Sequence, residues 1–496
     1  MQLQFEKKVL SCLSQAVRSV KDLELTQEVR LTEDMPDASR VLAGWGQVIL
    51  RGKEWQGSQI AAAGGVQATV LYAPEDGTEP RVVETWIPFQ IKWDAANAER
   101  EGPMRILPLL CFVDGRNLSA RKILIRTGLS CLCEGLYEKV FEVFTPAAIP
   151  EDVELLRRCY PVRLPRESGE KAFTLEETLD AGAIPVRELL SYTLQPEISE
   201  ARISGDKIAL RGVGKLHLVY RCREGRLRTR NFEVPFSQLG ELEHHYDHDA
   251  EAHVMVAVTG LELDMEEENL ALKCGLAAQY LISDRTMVDL VEDAYSTRRE
   301  VGLRQDELHL PVILDDVLER VSAQAGVQEL MPEVVDTAFW PGFPRMNREG
   351  DRVEAELPGR FQLLGYDTEG TLRAVTGLWE GKTGLNADAA GKVDGVVRPV
   401  GEPQWIATGN GMEIRGDVEV QMTTICRRGM PMITGLELGE IRELDPQRPS
   451  LILCRRGKRG LWEVAKGSGS SIEAIRAANG LDEDPDETQM LLIPVS

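Results

Sequence analysis

Along much of the chain, apolar side chains fall at every second position. Val66, Ala68, Val70 and Tyr72 do so, as do Leu216, Leu218 and Tyr220, and Val254, Val256 and Val258. Successive side chains of a strand point to opposite faces, so this period predicts half-buried β-strands. Gly-centred turns such as Glu224-Gly225 and Glu369-Gly370 separate the runs. Three stretches read with helical spacing instead: Phe5 to Val20, Val186 to Tyr192, and Val312 to Ala325, where Val317, Leu318 and Val321 would share a face. They predict short helices at the joints between domains.

The last stretch mixes both periods. Leu451-Ile452-Leu453 and Met490-Leu491-Leu492-Ile493-Pro494 read as strands, with two short helices between them. Ser470 followed by Glu473 is a capping box for the second helix, and Gly480 stands where a C′ glycine belongs. Ile472 and Ile475 share one helical face, which Trp462, Val464 and Ala465 can meet from the first helix.

Internal repetition sets the larger organisation. Gly57-Ser58-Gln59-Ile60 through Gly64 leads into Thr69-Val70-Leu71-Tyr72, and Gly205-Asp206-Lys207-Ile208 through Gly212 leads into His217-Leu218-Val219-Tyr220 at the same spacing. Each tyrosine is followed by a Pro-Phe step, Pro88-Phe89 in the first copy and Pro235-Phe236 in the second. A late segment, Ile125 to Leu129, is answered by Leu272 to Leu276. A divergent third copy starts at Gly350, passes Leu363-Leu364-Gly365-Tyr366 and ends with Ile414 to Val418, without a Pro-Phe step. The expected fold is mainly β: three repeated antiparallel β-sandwich-like domains with short connecting helices, at 1–155, 156–300 and 301–446, then a small C-terminal α+β module (βααβ) at 450–496. The prolines of Asp445-Pro446-Gln447-Arg448-Pro449 mark the last joint.

Composition narrows the partners. With 57 Lys and Arg against 80 Asp and Glu, the formal charge of -23 repels a phosphate backbone and argues against nucleic acid. Nine cysteines with no Cys-x-x-Cys pair suit a reducing compartment, and Cys131 and Cys133 would share one side of a strand as small core residues. The first residues hold no apolar run typical of an export signal, and no segment approaches the roughly 18 apolar residues of a membrane span. The expectation is a cytoplasmic protein with no transmembrane segment.

No pattern for catalysis, metal or cofactor emerges. Gly381-Lys382-Thr383 has the end of a phosphate-binding loop, but Thr376 occupies the position of the first glycine and the surroundings read as strand. His244, His245 and His248, with Asp247 and Asp249, have metal-ligand types but read as a solvated turn present in one copy only. His217 points away from the apolar side of its strand and is expected at the surface. Gly212-Val213-Gly214 lacks the third glycine of a dinucleotide fingerprint, and Glu266-Glu267-Glu268 reads as an acidic hairpin tip.

Leu461-Trp462 with Val464-Ala465, Ile472 to Asn479, and Leu492-Ile493-Pro494 together resemble a LysM domain. The resemblance implies a core of Leu461, Ile472, Ile475, Asn479 and Ile493, and in general a site for N-acetylglucosamine-containing glycans. Here the family's Gly-Asp-Thr loop reads Gly457-Lys458-Arg459-Gly460, and the second loop carries Asp482, Glu483, Asp484, Asp486 and Glu487. Those changes weigh against a glycan and, through opposite charge patches, toward a protein partner held by Arg455, Arg456, Lys458, Arg459 and Trp462.

Three such units before this tail, with Pro36-Asp37-Ala38-Ser39-Arg40-Val41-Leu42 and the two Pro-Phe steps, resemble the SPOCS-domain proteins of spore-forming bacteria. That resemblance implies a non-enzymatic scaffold of the spore coat. It would be made in the mother-cell cytoplasm and stationed at the forespore surface, its tail binding the coat's basement-layer ATPase and its body meeting other coat proteins. The alternative is a wall-associated LysM protein that binds peptidoglycan or N-acetylglucosamine, which would want an export signal.

Overall fold

The alternating runs pair as antiparallel strands. The structure, a computed structural model, describes residues 2–96, 98–180, 186–266, 269–409, 411–443, 449–481, 483 and 485–495. Strands make up 79% of it and two helices 3%, so the fold is mainly β with several sheets.

The first unit runs β1 (Phe5–Arg30), β2 (Ala38–Gln56), β3 (Gln59–Pro74), β4 (Arg81–Asp94), β5 (Met104–Ser119) and β6 (Lys122–Pro146). The order β1-β6-β5 forms one sheet and β2-β3-β4 another. Val48, Ile60, Val66 and Val70 from the second sheet share one core with Ile106, Ile123, Ile125 and Leu129 from the first. Each such side chain contributes about 1.5–3 kcal/mol when fully buried.

The second unit comprises β7 (Val153–Asp180), β8 (Val186–Cys222), β9 (Leu227–Tyr246), β10 (Glu251–Glu266) and β11 (Asn269–Ser296). The third comprises β12 (Arg299–Val327), β13 (Glu333–Pro341), β14 (Arg345–Glu349), β15 (Arg352–Tyr366), β16 (Leu372–Asn386), β17 (Lys392–Thr408) and β18 (Gly411–Ile441). The same pairing order returns in both: β11 lies between β7 and β10, and β18 between β12 and β17. A second sheet accompanies each, β8-β9 in one case and β13, β14 and β16 around β15 in the other.

The repeated glycines do two separate jobs. Gly57, Gly205 and Gly350 have φ of 63°, 64° and 62°, a left-handed turn that glycine adopts without steric cost. Gly64, Gly212 and Gly359 instead face an aromatic ring across the ladder, paired with Phe89, Phe236 and Trp379. A Cβ on them would meet the ring at 2.7, 2.5 and 2.0 Å. The phenylalanine of the Pro-Phe step thus covers a glycine on the next strand, and Trp379 serves the third copy in its place.

The three expected helices are strands. Phe5 to Val20 lies in β1, Val186 to Tyr192 in β8 and Val312 to Ala325 in β12. Bulges explain two of the misreadings: the register shifts between Gln15 and Val17 and between Ile313 and Asp315, so an extra residue turns period two into a helix-like spacing. In β12 the supposed common face is split, with Val321 buried and Leu318 54% exposed.

The first unit touches both others through side chains that act as spare backbone. Gln362 accepts from Gly44 N at 2.9 Å and donates to Gly44 O at 3.1 Å. Gln279 does the same to Ile106, both at 2.7 Å. Gln47 accepts from Leu194 N at 2.8 Å. Burying an amide this way satisfies its polar atoms and those of the strand it meets.

The tail follows as β19 (Leu451–Arg455), α1 (Leu461–Ser468), α2 (Ile472–Asn479) and β20 (Met490–Pro494), with β19 and β20 antiparallel. The joint at Asp445-Pro446-Gln447-Arg448 lies outside the described residues, as do Glu267, Glu268, Asp482 and Asp484.

Candidate functional site

The two helices of the tail start and stop by different means. Gly460 precedes α1 with no side-chain cap, and Gly469 at φ 66° ends it. The cap of α2 is Ser471, whose side chain accepts from Ala474 N at 3.1 Å. Ser470, expected in that role, is buried one residue earlier. Gly480 at φ 59° closes α2.

Leu461, Val464, Ala465, Ile475, Leu491 and Ile493 are buried in one cluster, with Ile472 and Trp462 packed against it. Asn479 joins α2 to β20. Its Nδ2 donates to Leu492 O at 2.6 Å and its Oδ1 accepts from Leu492 N at 2.7 Å, so a side-chain amide stands in for a neighbouring strand.

Tyr295 of β11 belongs to the same cluster, and it anchors the tail to the second unit. Its hydroxyl donates to Ser470 O at 2.8 Å, and its ring meets Trp462 edge-on with centroids 4.9 Å apart. A bulge in β11 between Val291 and Asp293 presents Asp293 beside it. Asp293 accepts from Trp462 Nε1 at 2.9 Å and from Lys466 Nζ at 2.8 and 2.7 Å. Trp462 therefore spends its N–H and one ring edge within the chain.

The basic residues of the tail divide by role. Arg456 braces the module, with Nε donating to Arg459 O at 3.1 Å and Nη1 to Pro485 O. Arg455, Lys458 and Arg459 are exposed, and no ion pair forms at any of them among the described residues. Glu483, Asp486 and Glu487 are exposed on the neighbouring loop.

A second concave site lies where all three units meet, a cavity of about 640 Å³ lined among others by Trp45, His217, Asn231, Asp336, Trp340 and Glu402. A bulge between Val334 and Asp336 turns the buried Asp336 toward its neighbours. Asp336 Oδ2 accepts from Trp45 Nε1 at 2.6 Å, and Oδ1 lies 2.9 Å from His217 Nε2. His217 Nδ1 donates to Asn231 Oδ1 at 2.6 Å, and Asn231 donates to Glu402 at 2.6 Å. Burial opposes a charged imidazole, but the Asp336 carboxylate outweighs it and raises the His217 pKa to about 9. His217, expected at the surface, is instead a cation joining the second unit to the third.

This network has no mark in the local sequence, because its members come from three units. One sign is readable afterwards: Asp336 interrupts the apolar run Val334-Val335 to Ala338-Phe339. A buried carboxylate in such a run needs a partner.

Other candidates do not assemble. The only metal-type cluster among the described residues is Glu251, His253 and Asp316. Its groups are already engaged: Arg163 pairs with Glu251, and Gln421 bonds both His253, at 2.5 Å, and Asp316, at 3.1 Å. Burial, with Arg105 and Arg163 nearby and against the pull of Asp316, lowers the His253 pKa. His244, His245 and His248 form no such cluster. Lys382 lies within β16, bound to Glu354 and Glu356 at 2.9 and 3.0 Å, so no phosphate loop forms there. Cys131 and Cys133 are buried, and burial pushes the Cys133 thiol up to about 12.

With this geometry in hand, the comparison with known families finds one stretch of the chain that resembles a sporulation-related domain family. The matching family model is that of SipL, described as SipL, SPOCS domain, and it covers residues 185–266. The chain resembles SipL over that stretch, which takes in β8, β9 and β10 of the second unit. No curated protein and no solved structure matches the chain. No helix among the described residues is long and apolar enough to cross a membrane.

Proposed function

We propose that this protein is a non-enzymatic scaffold of the spore envelope. In this reading, three SPOCS-like β sandwiches, at 1–155, 156–300 and 301–446, hold a LysM-like tail at 450–496. The tail recruits the coat's basement-layer ATPase at the forespore surface, from the mother-cell cytoplasm, and the body meets other coat proteins. The observation that carries it is the clasp of Asp293 on Trp462 and Lys466. It ties the tail to the unit that matches the SPOCS family, while Arg455, Lys458 and Arg459 form no ion pair among the described residues. Exposed cations on a chain of charge -23 suit an acidic protein surface better than a neutral glycan.

The test is a pull-down with purified coat ATPase, comparing the full chain with a chain ending at residue 449, and a parallel assay with muropeptides. ATPase capture by the full chain alone is expected. Equal capture by both, or capture of muropeptides in place of the ATPase, refutes the proposal.

A further inference from the structure

The β19–β20 ribbon turns one face inward and the other to solvent. Inward go Ile452, Cys454, Leu491 and Ile493, which meet the helices. Outward go Leu451, Leu453, Met490 and Leu492, exposed by 52%, 61%, 49% and 38%. Leu453 and Leu492 are direct cross-strand partners, and Arg455 opposite Met490 ends the apolar patch on the same face. Beyond it lie Lys458 and Arg459. Four adjacent large apolar side chains on one small module form a patch of the kind that marks interaction sites.

Two other sides of the module are committed. The Trp462 and Lys466 side is held by Asp293 and Tyr295, and the β20 edge at Leu492 is closed by Asn479. We infer that the outer face of the β19–β20 ribbon is the docking surface for a protein, and that its occupant is an acidic amphipathic helix. The spacing fits: Leu451 and Leu453 are two residues apart on a strand, roughly 6.6 Å, and one helical step from i to i+4 advances about 6 Å. Leucine-sized side chains at i, i+4 and i+7 would lie over the four exposed residues. Carboxylates one turn further would meet Arg455, Lys458 and Arg459, which lack a counterion among the described residues. The inference rests on the partner-binding role proposed above and assigns it to a face distinct from that of Trp462.

The test titrates a labelled synthetic helical peptide, with a leucine stripe and flanking glutamates, into the full chain by fluorescence anisotropy. A scrambled peptide of equal composition is the control. L453E/L492E should weaken binding at least about tenfold, and K458E/R459E should weaken it less and flatten its salt dependence. Both pairs are exposed, and an unchanged melting curve shows that the module still folds. Binding no better than the scramble, or unaffected by L453E/L492E, overturns the inference. So does a concentration-dependent dimer lost in L453E/L492E on sedimentation, which would make a second copy the occupant. A parallel arm uses the coat ATPase. If the peptide binds the ribbon and the ATPase binds nowhere, the proposed function falls and the docking surface stands. If the ATPase binds wild type and L453E/L492E alike, the docking surface falls and the function stands.

Discussion

Asp336→Asn removes the charge that holds the three-unit junction together but keeps an oxygen for Trp45. Two routes give the cost. A histidine raised from 6.5 to about 9 gains roughly 3 kcal/mol in its charged folded form, at about 1.36 kcal/mol per pH unit. Removing one partner of a buried ion pair costs about 3–5 kcal/mol. The routes agree on a loss near 3 kcal/mol at neutral pH. The folded pKa of His217 lies above its unfolded value, so its contribution is complete below about pH 6.5 and fades as pH rises through about 9. Asp336 works in the opposite direction: burial would raise its pKa, but His217 and Trp45 lower it, so its contribution is lost only as pH falls below the carboxylate range. Urea unfolding, followed by tryptophan fluorescence for wild type and variant at pH 7 and pH 10, should show a gap of about 3 kcal/mol at pH 7 that narrows to under about 1 kcal/mol at pH 10. Other groups titrate equally in both proteins and cancel in the difference. A gap of the same size at both pH values would refute the ion-pair account.

Two further perturbations separate the body from the tail. Glu134 is buried between Arg18, at 2.8 Å, and Arg105; burial would raise its pKa, but the two guanidinium groups hold it at about 2. Glu134→Ala leaves both cations buried and should cost about 3–5 kcal/mol in urea at pH 7, whereas an effect below about 1 kcal/mol would show that water reaches them. Ile475→Ala should cost about 2–5 kcal/mol in the tail and red-shift the Trp462 emission without moving the main melting transition. Asp293→Ala should speed amide hydrogen exchange in α1, which loses the bonds of Trp462 and Lys466, while the tail's own core stays folded; unchanged exchange would show that Tyr295 alone holds the seat.

What could be read from the sequence follows the range of each interaction. Strand alternation and the turn glycines Gly225 and Gly370 are local, and they appear where expected. The Pro-Phe step was visible as a motif, but its purpose depends on the strand opposite, so Trp379 over Gly359 could not be matched to it by spacing. Bulges defeated the helix readings in β1 and β12, because a single extra residue mimics a turn of helix. The tail's βααβ order and its buried Leu461, Ile475 and Ile493 follow from short-range pattern. Its seat on Asp293 and Tyr295, like the His217–Asp336 pair, joins residues that no local period links.

The pairing of first strand with last has a mechanical consequence. In the third unit Arg299 lies opposite Ile441, so its two chain ends leave side by side from the same end of the ladder. A pull on the tail transmitted only through residue 441 would load the β12–β18 hydrogen bonds one after another, as a zipper opens. The contact of Lys466 and Trp462 with Asp293 offers a parallel route, passing force straight into the second unit. A pull on the tail would thus load this clasp before the third unit begins to peel.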